Sequence, residues 1–131
     1  MTEKTWDDFF TRLDELDFEE FDLIVAIARG GIIPAGFIQQ KLNIPMQVIN
    51  INYRDDRHTP RYDDAELLES EEFSLKDKKI LLVDDVARTG KTAAKAKEYL
   101  AGNSIQTCFI NGDGDYRFFQ SETCLKMPWK R

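Results

Sequence analysis

The sequence predicts an α/β fold with a mainly parallel sheet flanked by helices. Continuous apolar runs at residues 23–28 and 80–83 are typical of strands buried on both faces, and residues 46–51 are expected to form a further strand. Between them lie segments with the periodicity or composition of helices. Strands that alternate with helices form right-handed βαβ units, so these strands are expected to run parallel to one another.

The first segment indicates an amphipathic helix. Its apolar residues recur at helical spacing and are Trp6, Phe9, Phe10, Leu13 and Leu16. Thr5 is the expected N-cap, and the two aspartates that follow it suit the first turn of a helix. We therefore expect this helix to begin after Thr5 and to place its aromatic stripe on the core.

The remaining elements follow from local start and stop signals. A helix with Pro34 in its first turn is expected to run to about Leu42 and to be ended by Asn43 and Pro45, because proline fits a first helical turn. Another is expected from about Thr89 to Leu100. Further extended segments are expected at 106–110, 116–119 and 124–126. The polar stretch at 53–72 is a long loop, and loops of this length within a small domain are commonly functional or disordered.

Length and composition bound the class of protein. The 131 residues fit one domain, 1–131, and 42% hydrophobic with 32% charged residues is ordinary for a globular protein. The net charge of −6 argues against general binding of nucleic acid. No apolar run is long enough to span a membrane and the acidic start is unlike a signal peptide, so a cytoplasmic location is expected. Cys108 and Cys124 lack metal-site spacing, and Cys108 is expected to be buried.

Residues 80–92, ILLVDDVARTGKT, are the most informative stretch. Asp84 and Asp85 follow the buried run, and the turn Thr89-Gly90-Lys91-Thr92 opens the next helix. The N–H groups of a helix N-terminus suit a phosphate, and carboxylates accept hydrogen bonds from sugar hydroxyls. Together they indicate a site for a sugar phosphate.

Three other kinds of structure share features with this stretch. A Walker A loop requires glycine five residues before Gly90, where Asp85 stands. A receiver domain normally opens with the strand that bears its paired acids, and too little chain follows Asp85 for the rest of that fold. A strand, turn and helix with solvated acids remains the plain structural alternative.

Several loops are expected to meet at one edge of the sheet, where ligands bind in open α/β folds. They follow Ala28, Ile51, Val83 and Ile110. The first contains Arg29-Gly30-Gly31, which suits a diphosphate. The fourth, at 111–115, lacks the ligand spacing of a calcium loop, and we expect a turn beside a base pocket.

In these residues the chain resembles the type I phosphoribosyltransferases, most of all the bacterial xanthine-guanine enzymes. The similarity covers most of residues 22–129. The matching pieces are residues 29–34, Asn52-Tyr53, Val83-Asp84-Asp85 with residues 89–92, and Met127-Pro128-Trp129.

The resemblance implies Mg²⁺-dependent transfer from phosphoribosyl pyrophosphate to a nucleobase in a homodimer or homotetramer. Arg29, Gly30 and Gly31 would bind pyrophosphate, with a cis bond expected at Ala28–Arg29. Asp84 and Asp85 would bind ribose and metal. Tyr53 would lie on a flap at about 53–72. The phosphate and base contacts would come from Ala87, Arg88, Thr89, Gly90, Lys91, Thr92 and Asn111.

The residues expected near the base depart from the family pattern. Arg88 stands where purine-salvage members usually have an aspartate that accepts the base proton, and arginine cannot do so. Asn111 replaces a lysine, Cys124 a stacking aromatic, and Lys126 an acid. These departures keep open two alternatives to purine salvage: a non-catalytic sensor of phosphoribosyl pyrophosphate or a nucleotide, and a purely structural domain.

Overall fold

The computed structural model describes residues 2–52, 66–67, 75–86 and 90–130. In chain order, the described elements are β1 (Thr2–Glu3), α1 (Trp6–Glu15), β2 (Leu23–Ala28), α2 (Ile32–Leu42), β3 (Met46–Asn52), β4 (Glu66–Leu67), β5 (Lys79–Val86), α3 (Lys91–Tyr99), β6 (Ser104–Asn111), β7 (Tyr116–Phe119) and β8 (Leu125–Lys126). The predicted α/β class is confirmed.

The main sheet has six described strands in the order β4-β3-β2-β5-β6-β7. Every neighbouring pair in it is parallel except β3 with β4. Ala26 lies opposite Val83, and Val83 lies opposite Cys108, so the carboxyl ends of β2, β5 and β6 reach one edge together. The predicted gathering of loops at this edge follows from that register.

Helices cover both faces of the sheet because side chains alternate along each buried strand. On β2, Ile24 and Ala26 join the core that also contains residues of α1 and α2. Val25 and Ile27 point the other way, into the core that contains residues of α3. The strands are therefore apolar on both faces, as their continuous hydrophobic runs predicted.

Helix α1 forms as its sequence predicted. Thr5 caps it by accepting a hydrogen bond from the Asp8 N–H, and the Asp8 carboxylate accepts one from the Thr5 N–H. Arg12 then fixes the helix on β7, since its Nε donates to the Phe118 carbonyl at 2.6 Å. Lys41 from α2 donates to the Leu16 carbonyl at 2.7 Å and so satisfies the C-terminal end.

Helix α2 begins at Ile32, two residues before Pro34, and Asn43 ends it with φ of 55°. The αL conformation at that position is one that asparagine tolerates well. Cys108 is buried as expected, and burial raises the pKa of its thiol to about 12. No helix in the described part of the chain is both long and apolar enough to cross a membrane.

Two strands lie where the sequence analysis expected none or only a loop. Strand β4 lies within the predicted loop at 53–72 and pairs antiparallel with β3. Strand β1 pairs with β8 in a separate two-stranded sheet. The return from β6 to the parallel strand β7 takes only four residues, and Gly114 lies close against the Phe109 ring there. That close approach lets the chain run back beside β6 instead of crossing a sheet face.

Phe9 and Phe10 provide a matched test of this packing. Phe9 is fully buried with its ring stacked on Phe118 at 4.7 Å, whereas Phe10 is 38% exposed. We expect Phe9→Ala to lower the free energy of unfolding by about 3–5 kcal/mol and Phe10→Ala by roughly less than half of that. Urea unfolding followed by circular dichroism measures both, and equal losses would contradict the placement of α1.

Candidate functional site

The acidic pair lies within the last three residues of β5. Asp84 pairs with Phe109 and Val86 with Asn111, so the strand continues past the predicted end at Val83. The reason is that β6 itself extends to Asn111 and keeps the ladder paired. Asp84 and Asp85 thus sit on a strand and not on a loop, which fixes their backbone.

Local hydrogen bonds hold the two carboxylates. The Asp85 N–H donates to Asp84 Oδ1 at 2.8 Å, and the Val86 N–H donates to Asp85 Oδ1 at 2.8 Å. Burial raises the pKa of Asp84 to about 7, and the neighbouring Asp85 charge adds to this rise while the Asp85 N–H opposes it. Asp84 can therefore exist near neutral pH as carboxylate or as carboxylic acid.

The turn after β2 packs directly against this acidic pair. The Ala28–Arg29 peptide bond is cis, as predicted. A Cβ on Gly30 would collide with the Asp85 carboxylate, and one on Gly31 would collide with the Val83 carbonyl. The Gly31 N–H donates to the Ile27 carbonyl at 2.8 Å. Arg29 is exposed at this edge, so the predicted pyrophosphate turn and the predicted ribose acids are neighbours.

Helix α3 starts just beyond the acidic strand. Gly90 is its N-cap, with φ of 76° and no side-chain hydrogen bond to the first turn. The backbone N–H groups at the start of a helix lack intrahelical acceptors and favour anions. Lys91 and Thr92 occupy the first turn. The described part of the predicted phosphate seat therefore has the required backbone arrangement.

A pocket of about 330 Å³ opens beside Asp85. Its described lining comprises Asp85, Val86, Ile110, Asn111, Gly112, Ser121, Glu122, Thr123, Cys124, Leu125, Met127 and Lys130. A cavity of this size suits a small heterocycle. The turn after β6 contributes Asn111 and Gly112 to its wall, and the binding of a base beside 111–115 stays a prediction.

Asn111 is present in this pocket but its amide is engaged. The Ser121 N–H donates to Asn111 Oδ1 at 2.8 Å, and Asn111 Nδ2 donates to the Ser121 carbonyl at 3.3 Å. This reciprocal pair joins β6 to the segment after β7. The amide therefore shapes the pocket wall and has one N–H left for a ligand.

The segment after β7 supplies residues that sequence reasoning did not select. Glu122 and Lys130 bring charge to the pocket, and Cys124 is exposed in its wall. Lys126 stays outside the described lining and pairs with Glu3 at 3.9 Å. No sequence signal distinguishes Lys130 from Lys126, because the short β1–β8 pairing decides which of them faces the pocket.

Some predicted site residues lie outside the described residues. They are Tyr53, Ala87, Arg88 and Thr89, together with the predicted flap apart from Glu66 and Leu67. Within the described ranges, no three His, Cys, Asp or Glu side chains form a group that could hold a metal ion. Asp84 and Asp85 are two hard oxygen donors, which is the number that Mg²⁺ commonly takes from a protein when substrate and water supply the rest.

The family follows from comparison of the whole sequence. A model of the phosphoribosyl transferase domain matches residues 4–114. The chain belongs to the phosphoribosyltransferase family. Members are glycosyltransferase-type enzymes that use phosphoribosyl pyrophosphate and a base.

The chain is similar to phosphoribosyltransferases that are named for different bases. The xanthine-guanine phosphoribosyltransferase of Idiomarina loihiensis is 28% identical over 122 residues, covering 88% of this chain and 74% of the relative. The orotate phosphoribosyltransferase of Sulfurisphaera tokodaii is 35% identical over 88 residues, covering 67% and 40%. The crystal structure of the purine phosphoribosyltransferase from Pyrococcus horikoshii has a TM-score of 0.79 at 27% identity, covering 99% and 94%.

The glycines test the close packing of the turn. We expect Gly31→Ala to destabilise the fold because the added methyl meets strand backbone, by about 1–3 kcal/mol. Gly30→Ala should cost less, since the Asp85 side chain can move away. Gly36→Ala is the matched control: its Cβ would meet nothing within 4 Å, and alanine favours a helix interior by about 1 kcal/mol. Chemical denaturation measures all three, and a neutral Gly31→Ala would contradict the contact.

Asp84 should make stability depend on pH. Its carboxyl titrates near 3.8 when unfolded and at about 7 when folded, so the folded chain binds more protons between these values. The stabilisation is complete below the lower value and is lost as the pH rises through about 7. We expect Asp84→Asn to flatten this trend and to raise the Tm near pH 8 by roughly 5 °C.

Thermal unfolding from about pH 4 to 9, with EDTA present, measures this trend. Asp113→Asn is the control, because Asp113 is highly exposed. The same wild-type slope in the Asp84→Asn variant would show that Asp84 is not its source.

Proposed function

We propose that this chain transfers a phosphoribosyl group from phosphoribosyl pyrophosphate to a purine-like base with the help of Mg²⁺. The observation that carries the proposal is the position of Asp85. Its carboxylate lies against Gly30 on one side and lines the 330 Å³ pocket on the other. One ligand with a diphosphate, a sugar and a base could therefore contact all three parts at once.

The donor side of this reaction uses the turn after β2 and the start of α3. Arg29 and the N–H groups of Gly30 and Gly31 would bind pyrophosphate, because an arginine and close-approaching backbone suit phosphate oxygens. The 5′-phosphate would be bound by the backbone N–H groups of Gly90, Lys91 and Thr92. The preceding residues Ala87, Arg88 and Thr89 would contribute further contacts to it. Tyr53 would cover the donor from the flap.

The ribose and the metal would meet the acidic pair. Asp84 and Asp85 would accept hydrogen bonds from the ribose hydroxyls, and their negative charge would stabilise positive charge developing on the sugar ring. The same oxygens would hold Mg²⁺, which when bound neutralises charge on the departing pyrophosphate. The positive charge of Arg29 would also stabilise the negative charge on the departing pyrophosphate.

The acceptor would occupy the pocket beside Asn111. Its remaining N–H and the backbone of the 111–115 turn would contact the edge of the base. Cys124 gives less stacking surface than an aromatic ring, a difference worth about 1–3 kcal/mol for a stacked base. The similarity to the Idiomarina loihiensis and Pyrococcus horikoshii proteins favours a purine, and that to the Sulfurisphaera tokodaii protein makes orotate the competing acceptor.

A sensor of phosphoribosyl pyrophosphate or a nucleotide is the second candidate. It is favoured by the engagement of the Asn111 amide with Ser121, which leaves the base edge fewer side-chain partners. Such a protein would bind the donor without transfer. The homodimer or homotetramer implied by the resemblance belongs equally to both candidates.

Product formation separates the two. The full chain is incubated with phosphoribosyl pyrophosphate, Mg²⁺ and, in turn, hypoxanthine, guanine, xanthine, adenine, orotate and uracil. We expect a nucleoside 5′-monophosphate and pyrophosphate in equal amounts, detected by chromatography, and loss of both when EDTA removes the metal. Binding of the donor with no product from any base would sink the transferase proposal and support the sensor.

Substitution of the acidic pair localises the activity. Asp85→Asn should lower kcat/KM by about 10²–10³, because a preorganised charge at the reacting sugar is lost. Asp14→Asn is the matched control, since Asp14 is exposed on α1 and lies outside the described pocket lining. Equal activity in the two variants would overturn the assigned role of Asp85.

A further inference from the structure

Lys130 is the cation in the described wall of the base pocket. The other charged lining residues that are described are the acids Asp85 and Glu122. The Lys130 ammonium lies 3.5 Å from Asp85 Oδ2, and the two side chains are 49% and 30% exposed. A well-formed hydrogen bond between such ions is about 2.7–2.9 Å long, so this pair is loose. Loose, half-exposed ion pairs contribute little stability and can exchange partners.

Several neighbouring polar side chains of the pocket already make hydrogen bonds within the chain. Asn111 is paired with the Ser121 backbone, as described above. The Ser121 hydroxyl meets the Thr123 hydroxyl at 3.0 Å, and the latter meets the Thr2 hydroxyl at 3.1 Å. An ammonium group has three donors and no acceptor. Lys130 therefore has donor capacity in the pocket beyond its loose contact with Asp85.

Asp85 is also a group that a sugar ligand would engage under the proposed function. Sugar hydroxyls or a bound cation would compete with Lys130 for the same carboxylate oxygens. A lysine displaced from Asp85 would remain next to the pocket, where an oxygen of the acceptor base could replace the lost partner. The two binding events would then assist each other, because each removes a competitor of the other.

Resting on that function, we propose that Lys130 exchanges partners: it pairs with Asp85 before the ligands bind and with an oxygen of the acceptor base once they are bound. Lys130 thereby selects bases that present a carbonyl or carboxylate over bases that present an amino group at the same place. It also couples occupation of the sugar site to occupation of the base pocket. By thermodynamic linkage the coupling is equal in both directions.

Three variants separate this role from a structural one. Lys130→Met keeps the length of the side chain but removes the charge, and Lys130→Arg keeps a charge. Lys126→Met is the matched control, because Lys126 is on the same segment and pairs with Glu3 outside the described pocket lining. Unchanged Tm values across the set would show that the fold is intact.

Selectivity is measured first by transfer and by equilibrium binding. The kcat/KM ratio for hypoxanthine over adenine should fall about ten- to hundredfold in Lys130→Met, the usual range for a hydrogen bond to a charged group. The ratio of the affinity for inosine 5′-monophosphate to that for adenosine 5′-monophosphate, measured by calorimetry, should fall by a similar factor. Lys130→Arg should recover part of the preference, and Lys126→Met should match the wild type.

Coupling is measured with ribose 5-phosphate, which fills the sugar site without serving as a donor. In the wild type and in Lys126→Met it should tighten the binding of hypoxanthine, and in Lys130→Met this effect should vanish. Wild-type turnover with no change in selectivity or coupling in Lys130→Met overturns the role of Lys130 and leaves the transferase intact. Lys130-dependent nucleotide binding without turnover supports the role and overturns the transferase. No binding of base or nucleotide overturns both.

Discussion

The close approach of the 29–31 turn to the end of β5 is the constraint on which the site depends. Glycine at position 31 lets the turn pass over the Val83 carbonyl, and glycine at position 30 leaves room for the Asp85 carboxylate. The parallel pairing of β2 with β5 fixes both chains at this level, with Ala26 opposite Val83. The proposed diphosphate and ribose contacts are thus set by the sheet, and a scaffold of regular structure holds a site more precisely than free loops do.

Local signals in the sequence were sufficient for the elements that build this scaffold. The buried strands β2 and β5 contain uninterrupted apolar runs, and Thr5 and Asn43 mark helix ends through capping chemistry that involves only neighbouring residues. Two-residue strands such as β1 and β8 carry no periodicity, so their pairing could not be predicted. That pairing positions the segment at 121–130. The sequence alone therefore could not predict that Lys130 and Glu122 line the pocket while Lys126 pairs with Glu3.

The charged groups of the site differ between the part held on the sheet and the part held on loops. Asp84 is held on β5 in partly buried surroundings beside a second carboxylate, and its pKa is raised to about 7 as a result. Relief of this unfavourable charge is available from a cation, from sugar hydroxyls or, for Asp85, from Lys130. The site therefore holds two close carboxylates on the sugar side and a loose ion pair on the base side, an arrangement that favours ligand binding over further stabilisation of the fold.

The two sides also differ in how freely they can change. Substitution at Gly31, Val83 or Asp85 disturbs contacts between neighbouring strands, so the sugar side is tied to the stability of the sheet. Most of the base wall comes instead from the end of β6, the short β6–β7 return and residues 121–130, and this last segment is joined to β6 through side-chain pairs such as Asn111 with Ser121. A new base can be accommodated there without moving β5 or α3. The chain is similar both to a relative named for xanthine and guanine and to a relative named for orotate, as expected if the sugar side is shared and the base wall varies.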